Sequence, residues 1–266
     1  MYVIPKKHGS RIIYQPSKDL KLLQYWLVNR IFKKFPISKY STAYSKGNSI
    51  KKNAFMHKNS NYILHLDIEH FFESITSYHI DKLLNKINNL DDNDRTLIKD
   101  IILFNGKYLV IGSVASPIVA NCVMYDIDLK IFDNCIKNTD LIYTRYADDI
   151  IISSKNYINK EIINEISSIL QDNNLKLNTK KTYFMNKKGK RYVTGITIDN
   201  NTNKLSLGHK QYRTIKNMIY NFLIKQTGNK DQILGYLSFI KDIDENKYNS
   251  LRSTYLKYDK SNSLFL

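Results

Sequence analysis

The sequence predicts an α+β fold, an antiparallel sheet packed with helices and followed by a wholly helical C-terminal stretch. Three observations predict it. Two apolar, β-branched runs flank Asp148-Asp149 (residues 142–152, IYTRYADDIII), which reads as strand, tight turn and strand with both acids at the tip. Residues 62–68 (YILHLDI) form another apolar run carrying an acid, Asp67, at its end. From Gly208 onward the apolar residues recur at helical spacing only.

In chain order, residues 4–14 alternate apolar and basic side chains around Gly9 and read as a small hairpin bearing Lys6, Lys7 and Arg11. Ser17 caps a helix with Leu20, Leu23, Leu27 and Ile31 on one face, and Pro36 ends it. Residues 37–60 are polar, with one short helix at 49–57. After the strand through Asp67, Ser77 caps a helix carrying Ile80, Leu83, Leu84 and Ile87. Asp91 to Asp94 separates it from a helix with Leu97, Ile98, Ile101 and Ile102. Residues 108–111 are extended. Ser116-Pro117, cap then proline, opens a helix through Val119, Val123, Ile127 and Ile131. Beyond the acidic hairpin come a helix over 158–170, short strands at 175–177 and 182–185, and a basic turn at 187–190. A strand over 192–198, a turn at 200–203 and a strand at 204–207 follow. Helices over 209–225, 230–241 and 245–258 complete the chain. The change of texture puts a domain boundary near 207, dividing 1–207 from 208–266.

The 266 residues suffice for one large or two smaller domains with a real core. The formal charge is +17, from 41 Lys+Arg against 24 Asp+Glu. Such a field points to a polyanion, nucleic acid first. The 20 tyrosines and 11 phenylalanines supply surfaces on which bases stack, besides filling the core. Cys122 and Cys135 lack metal-ligand spacing and read as buried thiols of a reduced cytoplasmic protein. No run reaches membrane-span length and no signal peptide is visible, so no membrane partner is expected.

If the strands that end in Asp67 and in Asp148-Asp149 are neighbours, three carboxylates converge. Two metal ions ~3.5–4 Å apart could then activate an attacking hydroxyl and stabilise a departing pyrophosphate. Oxygen-only ligands suit Mg²⁺. Asp67 and Asp148 would bridge both ions, the Ile68 carbonyl would add a ligand, and Asp149 would be a weaker or outer one. The bland alternative is an acidic turn, as at Asp91-Asp92.

These residues resemble the reverse transcriptases, and within them the retron type. Leu66-Asp67-Ile68-Glu69-His70-Phe71-Phe72 is similar to the first catalytic motif, and Tyr146-Ala147-Asp148-Asp149 to the Tyr-x-Asp-Asp signature. Gly112-Ser113-Val114-Ala115-Ser116-Pro117 with Asn121 resembles the motif between them. Arg11-Ile12-Ile13 with Pro16 resembles the fingers motif, and Leu177-Asn178 with Lys180-Lys181-Thr182 the lysine-bearing motif. Asn53-Ala54-Phe55-Met56-His57 and Val193-Thr194-Gly195 resemble retron enzymes specifically. The likeness covers nearly the whole chain, in order. One departure stands out: Ile111 occupies the place where the family usually has the Gln that helps position template base and incoming nucleotide. It implies altered processivity or substrate preference, with loss of activity as the other reading.

The resemblance implies a right-hand polymerase with fingers, an antiparallel-sheet palm and a helical thumb at 208–266. It would add deoxynucleoside triphosphates to a hydroxyl under RNA direction, with two Mg²⁺ ions per site and Asp67, Asp148 and Asp149 as catalytic acids. Phe72 would fill the space of a ribose 2′-hydroxyl. Arg11, with Lys6 or Lys7, would clamp the triphosphate. Gly112 would keep the backbone loop of the middle motif, and Lys181 would protonate the leaving pyrophosphate. Asn53 and His57 are packing residues or RNA contacts. Thr194 and Gly195 either let a nucleic-acid backbone approach or form plain strand. Tyr146 lies in the signature beside the primer, and Lys210 and Arg213 would track phosphates. The implied partners are a structured non-coding RNA serving as template and primer, a branched RNA–DNA product, and a separate effector protein in antiphage defence. The rivals are a defence-associated reverse transcriptase outside retrons, a template-independent polymerase, and a catalytically silent RNA-binding module.

Overall fold

Two central strands, β3 (Tyr62–Asp67) and β5 (Asp149–Ser154), are buried along almost their whole length. That is why their sequences run apolar without alternation: both faces are covered. The computed structural model describes residues 1–5, 9–261 and 263–265, and these fall into two compact units. The first comprises residues 1–49 and 60–185, the second residues 50–59 and 186–266.

The first unit opens with a hairpin of β1 (Tyr2–Pro5) and β2 (Ser10–Ile13), then α1 (Lys18–Arg30), capped by the Ser17 hydroxyl. Its main sheet has the order β4-β5-β3-β6, with β4 (Ile142–Tyr146) and β3 both antiparallel to β5 and β6 (Tyr183–Asn186) at one edge. Helices α4 (Ser77–Leu84), α5 (Asp92–Ile102), α6 (Ser116–Ile131) and α7 (Glu161–Gln171) share one apolar core with this sheet. A four-residue helix, α3 (Phe71–Ser74), follows β3 directly.

A fully buried ion pair fastens α6 to β4. Arg145 Nε and Nη2 donate to Asp128 Oδ1 and Oδ2, both at 2.8 Å, and the Tyr143 hydroxyl donates to Oδ1 at 2.7 Å. All three side chains are sealed from solvent. The remaining guanidinium nitrogen, Nη1, donates to the Ala147 carbonyl in the turn after β4, at 3.1 Å. A second tie joins β2 to the loop before α6: the Tyr14 amide donates to the Ile111 carbonyl at 2.8 Å. Gly112 permits that approach. A Cβ there would stand 2.2 Å from the Tyr14 carbonyl oxygen, and its φ of +103° suits glycine.

The second unit packs α2 (Ile50–His57) on an antiparallel sheet of β7 (Arg191–Val193), β8 (Ile196–Ile198) and β9 (Leu205–Ser206). Helices α8 (His209–Lys225), α9 (Lys230–Ile243) and α10 (Glu245–Tyr255) form its own apolar cluster around Ile219, Ile233 and Ile240. Asp259 gathers the C-terminal turn, accepting from the amides of Ser263, Leu264 and Phe265.

Several local expectations are corrected. The break expected at 207 lies inside the second unit, because β7–β9 pack on α2. The strand expected over 192–198 is a hairpin, with Thr194 (φ +45°) and Gly195 (φ +83°) as its two-residue turn. Thr76, not Ser77, caps α4, with its amide donating to His79 Nδ1 at 3.1 Å. Ser116 is the first residue of α6 and Ala115 its cap. Leu23 and Leu97 point outward, 49% and 60% exposed, since the buried stripes run through Gln24, Leu27 and Val28, and through Ile98, Ile101 and Ile102.

Two measurements test this account. Removing one partner of a buried pair strands the other charge, so Arg145→Met is expected to cost about 3–5 kcal/mol in urea denaturation. The double change Arg145→Met with Asp128→Leu removes the stranded charge and should recover part of that loss, the Ala147 carbonyl and Tyr143 hydroxyl remaining without partners. His57 is wholly buried, which pulls its imidazole down to about 3. Between its ordinary value near 6.5 and about 3, only the unfolded chain takes up that proton. Stability should therefore fall as pH drops through this window, by up to about 1.4 kcal/mol per pH unit from this group. His57→Gln should flatten that part of the stability-against-pH curve.

Candidate active site

Asp67 is the last residue of β3, and Asp149, the first of β5, is its register partner. The Ile68 amide donates to the Asp148 carbonyl at 3.0 Å, so the two acid-bearing strand ends meet. Tyr146 pairs with Asp149, which leaves Ala147 and Asp148 as a two-residue turn. Asp149 therefore belongs to the strand and not to the tip. Ala147 holds φ +56°, the left-handed region that such a turn needs and that alanine adopts at a cost of roughly 1–2 kcal/mol.

The three carboxylates have three different surroundings. Asp67 is buried and accepts from Lys181 Nζ at 2.7 Å. Asp149 accepts from His65 Nε2 at 2.9 Å. Asp148 forms no ion pair among the described residues, and its carboxyl is pushed up, first by burial and then by the charges of Asp149 and Asp67. Lys181 acts in the opposite direction.

His65 lies two residues before Asp67 on the same face of β3. Its Nδ1 faces the Lys181 carbonyl at 3.1 Å and its ring stacks on Tyr183, with centroids 4.6 Å apart. Burial pulls this imidazole down, but the hydrogen bond to Asp149, the charge of Asp149, the Lys181 carbonyl and Asp67 outweigh it, and the net shift is upward. With an acceptor at each ring nitrogen, only the doubly protonated ring donates to both.

A cleft of about 570 Å³ opens over the strand ends. Asp67, Ile68, Asp148, Lys181, Arg11, Tyr44, Phe72 and Ile111 line it, while Asp149 stands behind, held by His65. Phe71, next to Phe72, is buried in the core. Among the described residues, no group of three or more imidazole, thiol or carboxylate side chains is disposed to hold a metal ion. The donor set in the cleft is two carboxylates and the Ile68 main chain, oxygen chemistry that suits Mg²⁺. Asp148 is pushed up by burial first and then by Asp149 and Asp67, and a divalent cation bound there would offset that like-charge repulsion.

Of the other expected site residues, Lys6 lies outside the described residues. Gly112 does not line the cleft; it packs on the Tyr14 backbone and sets the loop that carries Ile111. Tyr146 is half-buried at the end of β4. Asn53 and His57 are wholly buried in α2, so they are packing residues without surface for RNA. Thr194 and Gly195 form the β7–β8 turn, and Lys210 and Arg213 are exposed on α8. Sequence reasoning missed His65 and Tyr44. The period-two spacing of His65 from Asp67 was a usable signal. Tyr44, in a polar stretch without periodicity, offered none.

The sequence profile of the reverse transcriptase (RNA-dependent DNA polymerase) family matches residues 4–222. The chain is 31% identical to the retron Ec86 reverse transcriptase of Escherichia coli, over 98% of this chain and 81% of that one. It is 32% identical to the retron Ec73 reverse transcriptase of the same species, over 96% and 86%. Among solved structures, apo telomerase from Candida tropicalis shares the fold at a TM-score of 0.55 and 13% identity, covering 96% of this chain and 58% of the telomerase. Telomerase from Candida albicans, solved with a fragment of telomeric RNA, matches at a TM-score of 0.51 and 13% identity, over 99% and 57%. With the acids of two strand ends meeting at one cleft and a profile matched over most of the sequence, this chain belongs to the reverse transcriptases, RNA-directed DNA polymerases, and is of the retron type.

Proposed function

We propose that this enzyme copies part of a dedicated structured non-coding RNA into single-stranded DNA. Synthesis starts from a 2′-hydroxyl of that RNA and leaves a branched RNA–DNA product. The system serves in antiphage defence alongside a separate effector protein. Similarity to retron enzymes supports the choice of template, primer and product. The observation that carries the chemistry is the presence of Asp67 and Asp148 in one cleft with Arg11, Phe72 and Lys181. Triphosphates and RNA as substrates put the reaction in the cytoplasm, and among the described residues no helix is long and apolar enough to cross a membrane.

Each side chain has a task. Asp67 and Asp148, with the Ile68 carbonyl, would hold the two Mg²⁺ ions, and Asp149 would support them from behind. When bound, these ions activate the attacking hydroxyl and neutralise charge on the departing pyrophosphate. His65 fixes the Asp149 carboxylate through its Nε2 hydrogen bond. Lys181 neutralises Asp67 in the resting site. Its half-exposed ammonium would bind the departing pyrophosphate and give it a proton. Arg11 offers planar, bidentate donors to the phosphates. Phe72 fills the space that a 2′-hydroxyl would need. Lys210 and Arg213 on α8 hold the nucleic-acid backbone without reading its sequence.

Asp148→Asn keeps the size of the turn residue and removes its charge. Losing about 4 kcal/mol of electrostatic stabilisation lowers the rate at least about 10³-fold. Mg²⁺-dependent primer extension should show that loss while the urea midpoint stays put, and equal extension by both proteins would refute the catalytic assignment. Phe72→Ala should raise ribonucleotide use relative to deoxynucleotide use by about tenfold or more, read from the ratio of kcat/KM values. Sequencing the nucleic acid that copurifies with the protein addresses the retron reading. One defined RNA joined covalently to DNA is expected, and a random RNA population would contradict it.

A further inference from the structure

Tyr44 is left over by the roles assigned so far, yet it lies in the same cleft as Arg11, Phe72 and Asp148. Its backbone sits at φ +58°, a left-handed conformation that a bulky L-residue rarely adopts. The neighbouring chain enforces it. The Thr42 amide and hydroxyl both donate to the Arg145 carbonyl, at 2.8 and 3.1 Å. The Ala43 carbonyl accepts from the buried Asn121 Nδ2 at 2.8 Å. Residues 41–43 are thus strapped along β4 and α6, and Tyr44 is turned out of that strap with its side chain 45% exposed. Strain held in place by surrounding bonds is characteristic of sites where a side chain must be aimed.

The aim is toward two rings that already border the reaction. The Tyr44 centroid is 6.5 Å from that of Phe72 and 6.4 Å from that of Tyr146, tilted in both cases. It links the ring that fills the 2′ position with the first residue of the Tyr-Ala-Asp-Asp turn. Tyr44, Asp148 and Arg11 line the same cleft, and burial, then the charge of Asp148, raises the Tyr44 hydroxyl's pKa against the opposing charge of Arg11. Partial burial, with the charge of Asp148, keeps it protonated and able to donate.

We propose that Tyr44 is a positioning and specificity-determining residue for the incoming deoxynucleoside triphosphate, its ring packing against the sugar and bracing Phe72. This rests on the polymerase reading above. An aromatic ring against a nucleoside contributes binding that depends on its face and edge, not on its hydroxyl. The ring is the operative part, and the hydroxyl adds little.

Steady-state single-nucleotide extension on a primed RNA template tests it, using the full chain with Tyr44→Phe, Tyr44→Ala and Tyr44→Gly. The glycine variant removes the ring and relieves the backbone strain together, so its folded state should be no less stable than the parent's in urea denaturation. Expected for both ring-less variants are a KM for deoxynucleotide raised about tenfold or more, a kcat within about threefold of the parent, and a weakened preference over ribonucleotide. Tyr44→Phe should stay within about twofold in KM. Parent-like KM in the alanine and glycine variants would overturn the proposal. So would equal losses in the phenylalanine variant, or a fall in kcat that follows a loss of stability. If the unsubstituted chain adds no nucleotide, the polymerase reading falls and takes this one with it. A parent that polymerises, beside a Tyr44→Gly variant with unchanged KM, removes this one alone.

Discussion

The acid-bearing hairpin depends on the buried pair of Arg145 and Asp128. A two-residue turn between strands has little stiffness of its own, and Ala147 occupies a conformation alanine disfavours. What fixes it is a guanidinium with no exposed surface, holding a carboxylate of α6 with two nitrogens and the turn's own carbonyl with the third. Planar geometry lets one side chain do both, which a lysine could not. The turn that carries Asp148 is therefore referenced to the long central helix and not only to the strand it terminates.

Around that turn the charges are arranged in pairs with one left over. Lys181 answers Asp67 and His65 answers Asp149. For Asp148, burial and the charges of Asp149 and Asp67 outweigh a backbone hydrogen bond and Lys181, and its carboxyl is pushed up in consequence. Three ionised carboxylates at one point are unfavourable in any folded protein without cations. Here Lys181 supplies one against Asp67, and the His65 ring faces Asp149 through Nε2. Lys181 is half-exposed and can leave, whereas the His65 ring is pinned between two acceptors and a stacked tyrosine. Lys181 is thus the mobile partner of the site and His65 the fixed one.

The strands and helices were legible because their signals are local. The runs ending in Asp67 and flanking Asp148 are β-branched and bounded by acids, and the expected meeting of their ends follows from the observed register of Asp67 with Asp149. What was not legible required knowing neighbours. Thr76 and Ser77 are both good caps, and composition does not say which of two adjacent hydroxyls has left the helix. Thr194-Gly195 interrupts a β-branched run with only one glycine and no Asn, Asp or Pro, so a hairpin turn looked like continuous strand. Asn53 and His57 are polar by type, and only tertiary packing tells that they face inward. Period-two alternation identifies β7–β9 as strands but cannot say which core they join. Hence the unit boundary fell near residue 186 and not near 207.

The same distinction explains why the interior of the first unit is so polar beside the site. An apolar replacement of Arg145 and Asp128 could match them in stability, since a buried ion pair gains little over well-packed hydrophobes. It could not replace their second function. The carbonyl of Ala147 is held by Arg145, and the carbonyl of Ala43, just before Tyr44, is held by Asn121, whose own side-chain oxygen accepts from Ser41 at 2.9 Å. Ala147 and Tyr44 are the left-handed residues nearest the cleft on their respective segments. Leucines at positions 121, 128 and 145 would fill the volume and leave both carbonyls buried without donors, at a cost of roughly 1–3 kcal/mol each. The strained residues would then relax, moving Asp148 and the Tyr44 ring together. A polar core is retained at this point because it specifies where two side chains point, a requirement that apolar packing alone does not meet.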